Sequence, residues 1–131
     1  MLLDTSGLLC LFDEDESRHE EAESHFDEAV TKLTHSYVLA EFVALAQARR
    51  APRGRALTFV ARLQDSSEVE VVYVDKALHR EALALLRQRL DKEWSLSDAV
   101  SFLLMPRRGL TEALTTDHHF EQAGFVSLLR T

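Results

Sequence analysis

Cysteine is nearly missing from this chain of 131 residues: Cys10 stands alone, inside an apolar stretch. No disulfide can form within the chain, which suits a reducing compartment. Only four glycines and two prolines occur. No glycine-rich loop that could cradle phosphates stands out, and no Ser-His-Asp order does either, which argues against nucleotide-dependent chemistry and serine hydrolysis. No apolar run approaches the roughly 18 residues needed to span a bilayer. Met1 leads straight into apolar sequence, with neither the basic start nor the small-residue cleavage site of a secretory leader. Repeats, low-complexity tracts and long linkers are lacking too. What remains is a soluble cytoplasmic protein with no membrane association, expected as one domain over residues 1–131.

Lysine is scarce as well: Lys32, Lys76 and Lys92 are the only three among 15 cationic residues, and the net charge is −7 with a pI of about 5.3. An acidic balance argues against nucleic-acid binding, because phosphate contacts need a basic footprint. Two points work the other way. Acids that hold a metal are neutralised when loaded. The remaining positive charge is arginine, whose planar fork grips phosphate in two places.

Apolar residues make up 46% of the chain, enough for a real core. Their spacing predicts a strand over 2–4 and a helix through Phe12, then an acidic turn over 13–17. A helix follows over 18–30, with Ala22, Phe26, Ala29 and Val30 on its apolar side, and a short strand over 32–35. Ser36 is placed to cap a helix over 37–50, which Ala51-Pro52-Arg53-Gly54 breaks. Beyond it lie a helix over 55–64, a valine-rich strand over 69–74, and an amphipathic helix over 77–90 built on Leu78, Ala82, Leu85, Leu86 and Leu90. A loop over 91–96 leads to a buried helix over 97–105, ended by Pro106. The chain closes with a strand over 113–116, a short helix over 118–123 stopping at Gly124, and a strand over 125–129. Strands alternating with helices mean an α/β domain with a central, mainly parallel sheet. Sites in such sheets lie beyond the carboxyl ends of the strands, where Asp4 and Asp117 fall.

Four acids sit where a carboxylate is awkward to keep. Asp4 ends the apolar opening. Glu41 interrupts the run from Tyr37 to Leu45, with Tyr37, Val38, Ala44 and Leu45 at helical spacing around it, so it is expected to point at the protein and not at water. Asp98 precedes an apolar helix, and Asp117 closes an apolar strand. Each has an ordinary explanation: Asp4 and Asp117 as helix caps, Asp98 as the acid of a Ser95-x-x-Asp98 capping box, Glu41 as a salt-bridge partner. Asp75 also ends a strand and starts a helix, and Asp91 lies in a loop near Asp98. Local pattern does not rank Asp75 below Asp117.

Four segments, taken in order, resemble one family. They are Leu3-Asp4-Thr5-Ser6, Ser36-Tyr37-Val38-Leu39-Ala40-Glu41, Trp94-Ser95-Leu96-Ser97-Asp98-Ala99-Val100-Ser101-Phe102, and Ala113-Leu114-Thr115-Thr116-Asp117-His118-His119-Phe120. Together they make the chain similar to the PIN-domain ribonucleases, in particular the toxins of VapBC-type toxin–antitoxin pairs. The resemblance implies a three-layer α/β/α PIN-like fold. It implies that Asp4, Glu41, Asp98 and Asp117 converge to bind one or two Mg2+ or Mn2+ ions, which prefer carboxylate oxygens. It implies RNA hydrolysis by metal-activated water, leaving a 5′-phosphate and a 3′-hydroxyl. Ser6 and Thr116 match positions where a hydroxyl orients a ligand or a water. A homodimer and a cognate antitoxin are the partners implied.

Asp117-His118-His119 also spells a motif of another phosphoesterase family, whose upstream aspartate-rich segments are absent. His118 and His119 are expected to cap, hydrogen-bond or face water, with a base role for His118 as the alternative. Arg49, Arg50, Arg53 and Arg55 crowd one turn, where they are either solvated or guide an RNA backbone. A housekeeping RNA-processing nuclease and a non-catalytic PIN-like binding domain are the rival functions. A receiver-like or dehalogenase-like phosphotransfer domain is disfavoured, because the second acid those sheets require is missing.

Overall fold

The computed structural model describes residues 1–130. The elements run β1 (Leu2–Leu3), α1 (Thr5–Phe12), α2 (His19–Glu28), β2 (Lys32–His35), α3 (Ser36–Ala48), α4 (Arg53–Asp65), β3 (Val69–Val72), α5 (Lys76–Gln88), α6 (Leu96–Arg107), β4 (Glu112–Leu114), α7 (His119–Gln122) and β5 (Val126–Ser127). The strands form one sheet in the order β3-β2-β1-β4-β5, and every pairing is parallel. The central registers are Leu2 against Leu33 and Leu3 against Leu114.

Strand alternation divides the core into two layers. Leu3 and Leu114 pack with Leu8 of α1, Phe42 of α3 and Ala56 of α4. Leu2 and Ala113 face the other way, onto Leu78 of α5, Val100 of α6 and Phe120 of α7. Both faces of the sheet are covered, which is why its short strands read as runs of apolar residues. The strand order reverses between β1 and β4, so a crevice opens there at the carboxyl ends. Gly7 brings α1 down onto that point: a Cβ on it would lie 2.0 Å from the Leu114 carbonyl oxygen. A larger residue would push the start of α1, with Thr5 and Ser6, away from β4.

Several sequence expectations shift. His35, not Ser36, caps α3: its Nδ1 accepts from the Val38 amide, while its Nε2 meets Ser101 Oγ at 2.9 Å. Ser36 Oγ instead accepts from the amide of Val74. Burial holds the His35 imidazolium down at about pKa 4, so it stays neutral and free to accept. Pro106 does not end α6, which continues to Arg107. A proline in the last turn removes only one helical bond, and the amides of Arg108, Gly109 and Leu110 tie off the end. Val30 and Leu90, expected on apolar helix faces, are 99% and 86% exposed, because α2 and α5 stop two residues before them.

Candidate active site

Asp4 follows β1 at the first turn of α1, but its side chain does not cap that helix. Its Oδ2 accepts from Thr115 Oγ1 at 2.8 Å. Thr115 Oγ1 also accepts from the Asp117 amide at 3.0 Å and lies 3.1 Å from Ser6 Oγ. A threonine has one proton to give, and here it goes to Asp4. Ser6 therefore donates to Thr115, and its own oxygen accepts from the Thr116 amide at 2.9 Å. This relay fixes the start of α1 against the end of β4. Burial, then the charge of Asp98, pushes the Asp4 carboxyl up to about 7, against the pull of the Thr115 hydroxyl.

Asp98 does make the expected capping box with Ser95, each side chain accepting from the other's amide at 3.0 Å. The cap and the site coexist, because the same Oδ2 also meets His119 Nδ1 at 3.0 Å. Burial raises the Asp98 carboxyl, while the Ser95 amide and His119 hold it down. Asp117, beyond β4, accepts from the His119 amide at 2.9 Å, and its Oδ2 lies 3.3 Å from His119 Nδ1. His119 thus bridges two of the acids.

Glu41 corrects an expectation. It lies on an exposed stretch of α3 with Ala40 and Ala44, and it faces the open pocket, not the core. The helix is apolar on nearly all sides, yet Val38, Leu39, Phe42 and Ala46 suffice to bury it. The stripe carrying Glu41 is left as the rim, with Thr5 Oγ1 donating to its Oε1 at 3.0 Å.

Asp4, Glu41, Asp98 and Asp117, with Ser6 and Thr116, line one open cleft of about 490 Å³ at the strand-order reversal. Asp75 and Asp91 lie elsewhere: Asp75 caps α5 through the Leu78 amide, and Asp91 pairs with Arg89. Two residues of the site escaped the sequence reading. Thr115, fully buried, holds the hydroxyl partner of Asp4, a role hidden by the identical residue beside it. His119 reads in the sequence as an ordinary polar residue, and its place directly after the Asp117 turn is the available signal. His118 is half-exposed, 3.6 Å from Asp117 Oδ1.

The donor set fits a hard divalent ion. Carboxylates and hydroxyls dominate the lining, and no lysine or arginine among the lining residues offsets their charge. Two buried aspartates side by side call for a cation. Asp117, His118 and His119 also bring ligand atoms within 4.8 Å of one another.

The chain matches the PIN domain family over residues 1–126 and belongs to it. With its parallel sheet and pocket of acids, it is a PIN-domain nuclease of the VapC type. It is 30% identical over 129 residues to the 23S rRNA-specific endonuclease VapC20 of Mycobacterium tuberculosis, in strains CDC 1551 and H37Rv, covering 98% of this chain and 97% of that protein. The crystal structure of M. tuberculosis VapC20, described as a Sarcin-Ricin loop cleaving toxin, superposes with a TM-score of 0.85 at 29% identity, covering 95% of each chain. Among the described residues, no helix is long and apolar enough to cross a membrane.

Proposed function

We propose that this protein is a single-domain, Mg2+- or Mn2+-dependent endoribonuclease, the toxin of a VapBC-type pair. It acts in the cytoplasm as a homodimer restrained by a cognate antitoxin. The observation that carries the reading is the pairing of buried Asp4 and Asp98 at the strand-order reversal, unmatched by any lysine or arginine in the pocket. A relative named as an rRNA-specific endonuclease supports RNA as the substrate.

Asp4, Asp98, Asp117 and Glu41 would hold one or two ions. When bound, such ions supply positive charge that acidifies a water and steadies the leaving oxygen of a phosphodiester. The chain's own groups do the positioning. Thr115 aims the Asp4 carboxylate by donating to Oδ2, and the Ser6 hydroxyl holds Thr115 in place. The capping box and His119 fix Asp98 from two sides. Thr116, at the pocket wall, offers a hydroxyl to a water or phosphate oxygen.

Inducible expression of wild type and Asp4→Ala in a bacterium, with mapping of RNA ends, tests the reading. Growth arrest and new RNA ends are expected from the wild type alone. Equal toxicity with identical ends would remove it.

A further inference from the structure

Thr5 of α1 and Leu45 of α3 line the acid pocket. One helical turn further along the same helices stand Leu9 and Arg49, which line a second cleft of about 250 Å³. That cleft shares Phe12 and Arg55 with a third, of about 390 Å³, between the end of α1 and a stripe of α4 made by Arg55, Thr58, Phe59 and Arg62. The second cleft runs into the third where α1 ends beside α4, and it begins one turn beyond the acid pocket along α1 and α3, so the three lie in series as a trench.

Its charge reverses along the way. Among the described residues Arg50, Arg53, Arg55 and Arg62 form no ion pair with an acid. Arg53 meets only neutral Gln47, and Arg55 lies over the Phe12 ring at 6.0 Å. Leaving these four arginines unpaired between positions 50 and 62 is unexpected in a chain with 22 acids and a net charge of −7. Arg50 moreover holds φ 60 at the end of α3, where glycine or asparagine is the ordinary choice. The floor of the last cleft is aromatic, with the half-buried rings of Phe12 and Phe59 5.4 Å apart.

We propose that this trench is a track for single-stranded RNA leading away from the acid pocket, a reading that rests on the nuclease function proposed above. Arg55 and Arg62, seven residues apart on one helix face and so about 10 Å along its axis, grip successive parts of the phosphate backbone. A base packs on the Phe12–Phe59 floor, while Arg53 lines a separate small cleft with Gln47 and Leu57. Asp13, Glu14 and Asp15 edge the middle cleft, and Glu16 occupies Arg49. Repulsion there keeps the strand on the α4 side.

The test is fluorescence anisotropy of a 5′-labelled single-stranded RNA of about a dozen nucleotides, in EDTA, across a series of KCl concentrations. Arg55→Ala/Arg62→Ala is expected to weaken binding about tenfold and to lower the slope of log Kd against log [KCl] by about 1.4, at roughly 0.7 per lost phosphate contact. Arg55→Lys/Arg62→Lys restores the slope, while Phe59→Leu weakens binding and leaves the slope alone. Thermal melts establish that the variants are folded. Wild-type binding with an unchanged slope in the double alanine variant overturns the track and leaves the nuclease reading intact. Failure of the metal-free wild type to bind the RNA overturns the track alone, because the nuclease reading is decided separately by growth arrest and RNA-end mapping. Unchanged RNA binding with lost capture of a co-expressed neighbouring-gene polypeptide assigns the trench to a protein partner, and overturns the proposal.

Discussion

Asp4 and Asp98 keep only 5% of their surface exposed, while Glu41, across the same pocket, lies on the exposed stripe of α3 with one hydroxyl partner. The buried pair is fixed by elements from three parts of the chain. Thr115 comes from the end of β4, Ser95 from the start of α6 and His119 from α7. Burial raises both carboxyls, so their charged forms are held at a cost when no cation is present. The pocket therefore has one rigid, electrostatically loaded wall and one soft rim. In the proposed metal-dependent nuclease, the wall would determine where an ion sits, and the rim would adjust to the ion's coordination or to the substrate.

Asp4→Asn should produce the largest change, and in two directions. Metal-assisted charge stabilisation is worth several kcal/mol, at tenfold per about 1.4 kcal/mol, so cleavage should drop on the order of 10³-fold. Metal-free stability should rise. The folded Asp4 carboxyl lies at about 7, above its ordinary value of 3.8. Its proton is thus held more tightly in the folded protein. The resulting stabilisation is complete below pH 3.8 and is lost as pH rises through 7, a difference of up to about 4 kcal/mol. In EDTA at pH 8, Asp4→Asn should melt roughly 5–15 °C above wild type, with the gap closing toward pH 4. Adding Mn2+ should raise the wild-type Tm more than that of the variant. A variant no more stable than wild type at pH 8 would mean that the wall carries no such electrostatic load.

Thr115→Val comes next and asks whether the wall needs its hydroxyl support. The valine nearly preserves shape, but removes the donor to Asp4 and the acceptor for the Asp117 amide and Ser6. Partners of this kind, one step behind the ligands, are worth about 10–100-fold in metal affinity or activity. Calorimetric titration of Mn2+ should show that loss, and Thr115→Ser should recover most of it. Equal losses in the serine and valine variants would point to packing and not to the hydrogen bond.

The two sides of the pocket were not equally legible in the sequence. The alternation of apolar strands and helices gave the α/β layers, and Asp4 and Asp117 fell at strand ends where the chain order alone predicts a crevice. The capping box of Asp98 was readable from Ser95 three residues earlier. Glu41 stands out in the sequence for a reason that fails: its apolar neighbours suggest burial, but a helix buried on one side can carry apolar residues on the other. Separating Asp117 from Asp75 required the family resemblance, since both follow a strand and precede a helix. The choice of Thr115 over Thr116 and the bridge made by His119 depend on how β4 approaches Gly7 and α6, contacts between residues more than a hundred positions apart in one case and about twenty in the other. No local pattern encodes them.

Glu41→Gln should have the smallest effect, and it is the variant that bears most directly on the contrast between wall and rim. Glutamine keeps the length of the side chain and an acceptor for the Thr5 hydroxyl, and loses the charge. An exposed substitution of this kind changes stability by no more than about 0.5 kcal/mol, so the metal-free Tm should be the same as wild type across the pH range in which Asp4→Asn diverges. Metal affinity should fall about tenfold, and raising Mn2+ should recover cleavage, because the buried aspartates still mark the site. If Glu41→Gln raised the metal-free Tm as Asp4→Asn does, the rim would share the load of the wall. If saturating Mn2+ failed to restore cleavage, Glu41 would act on the substrate itself and not through the ion.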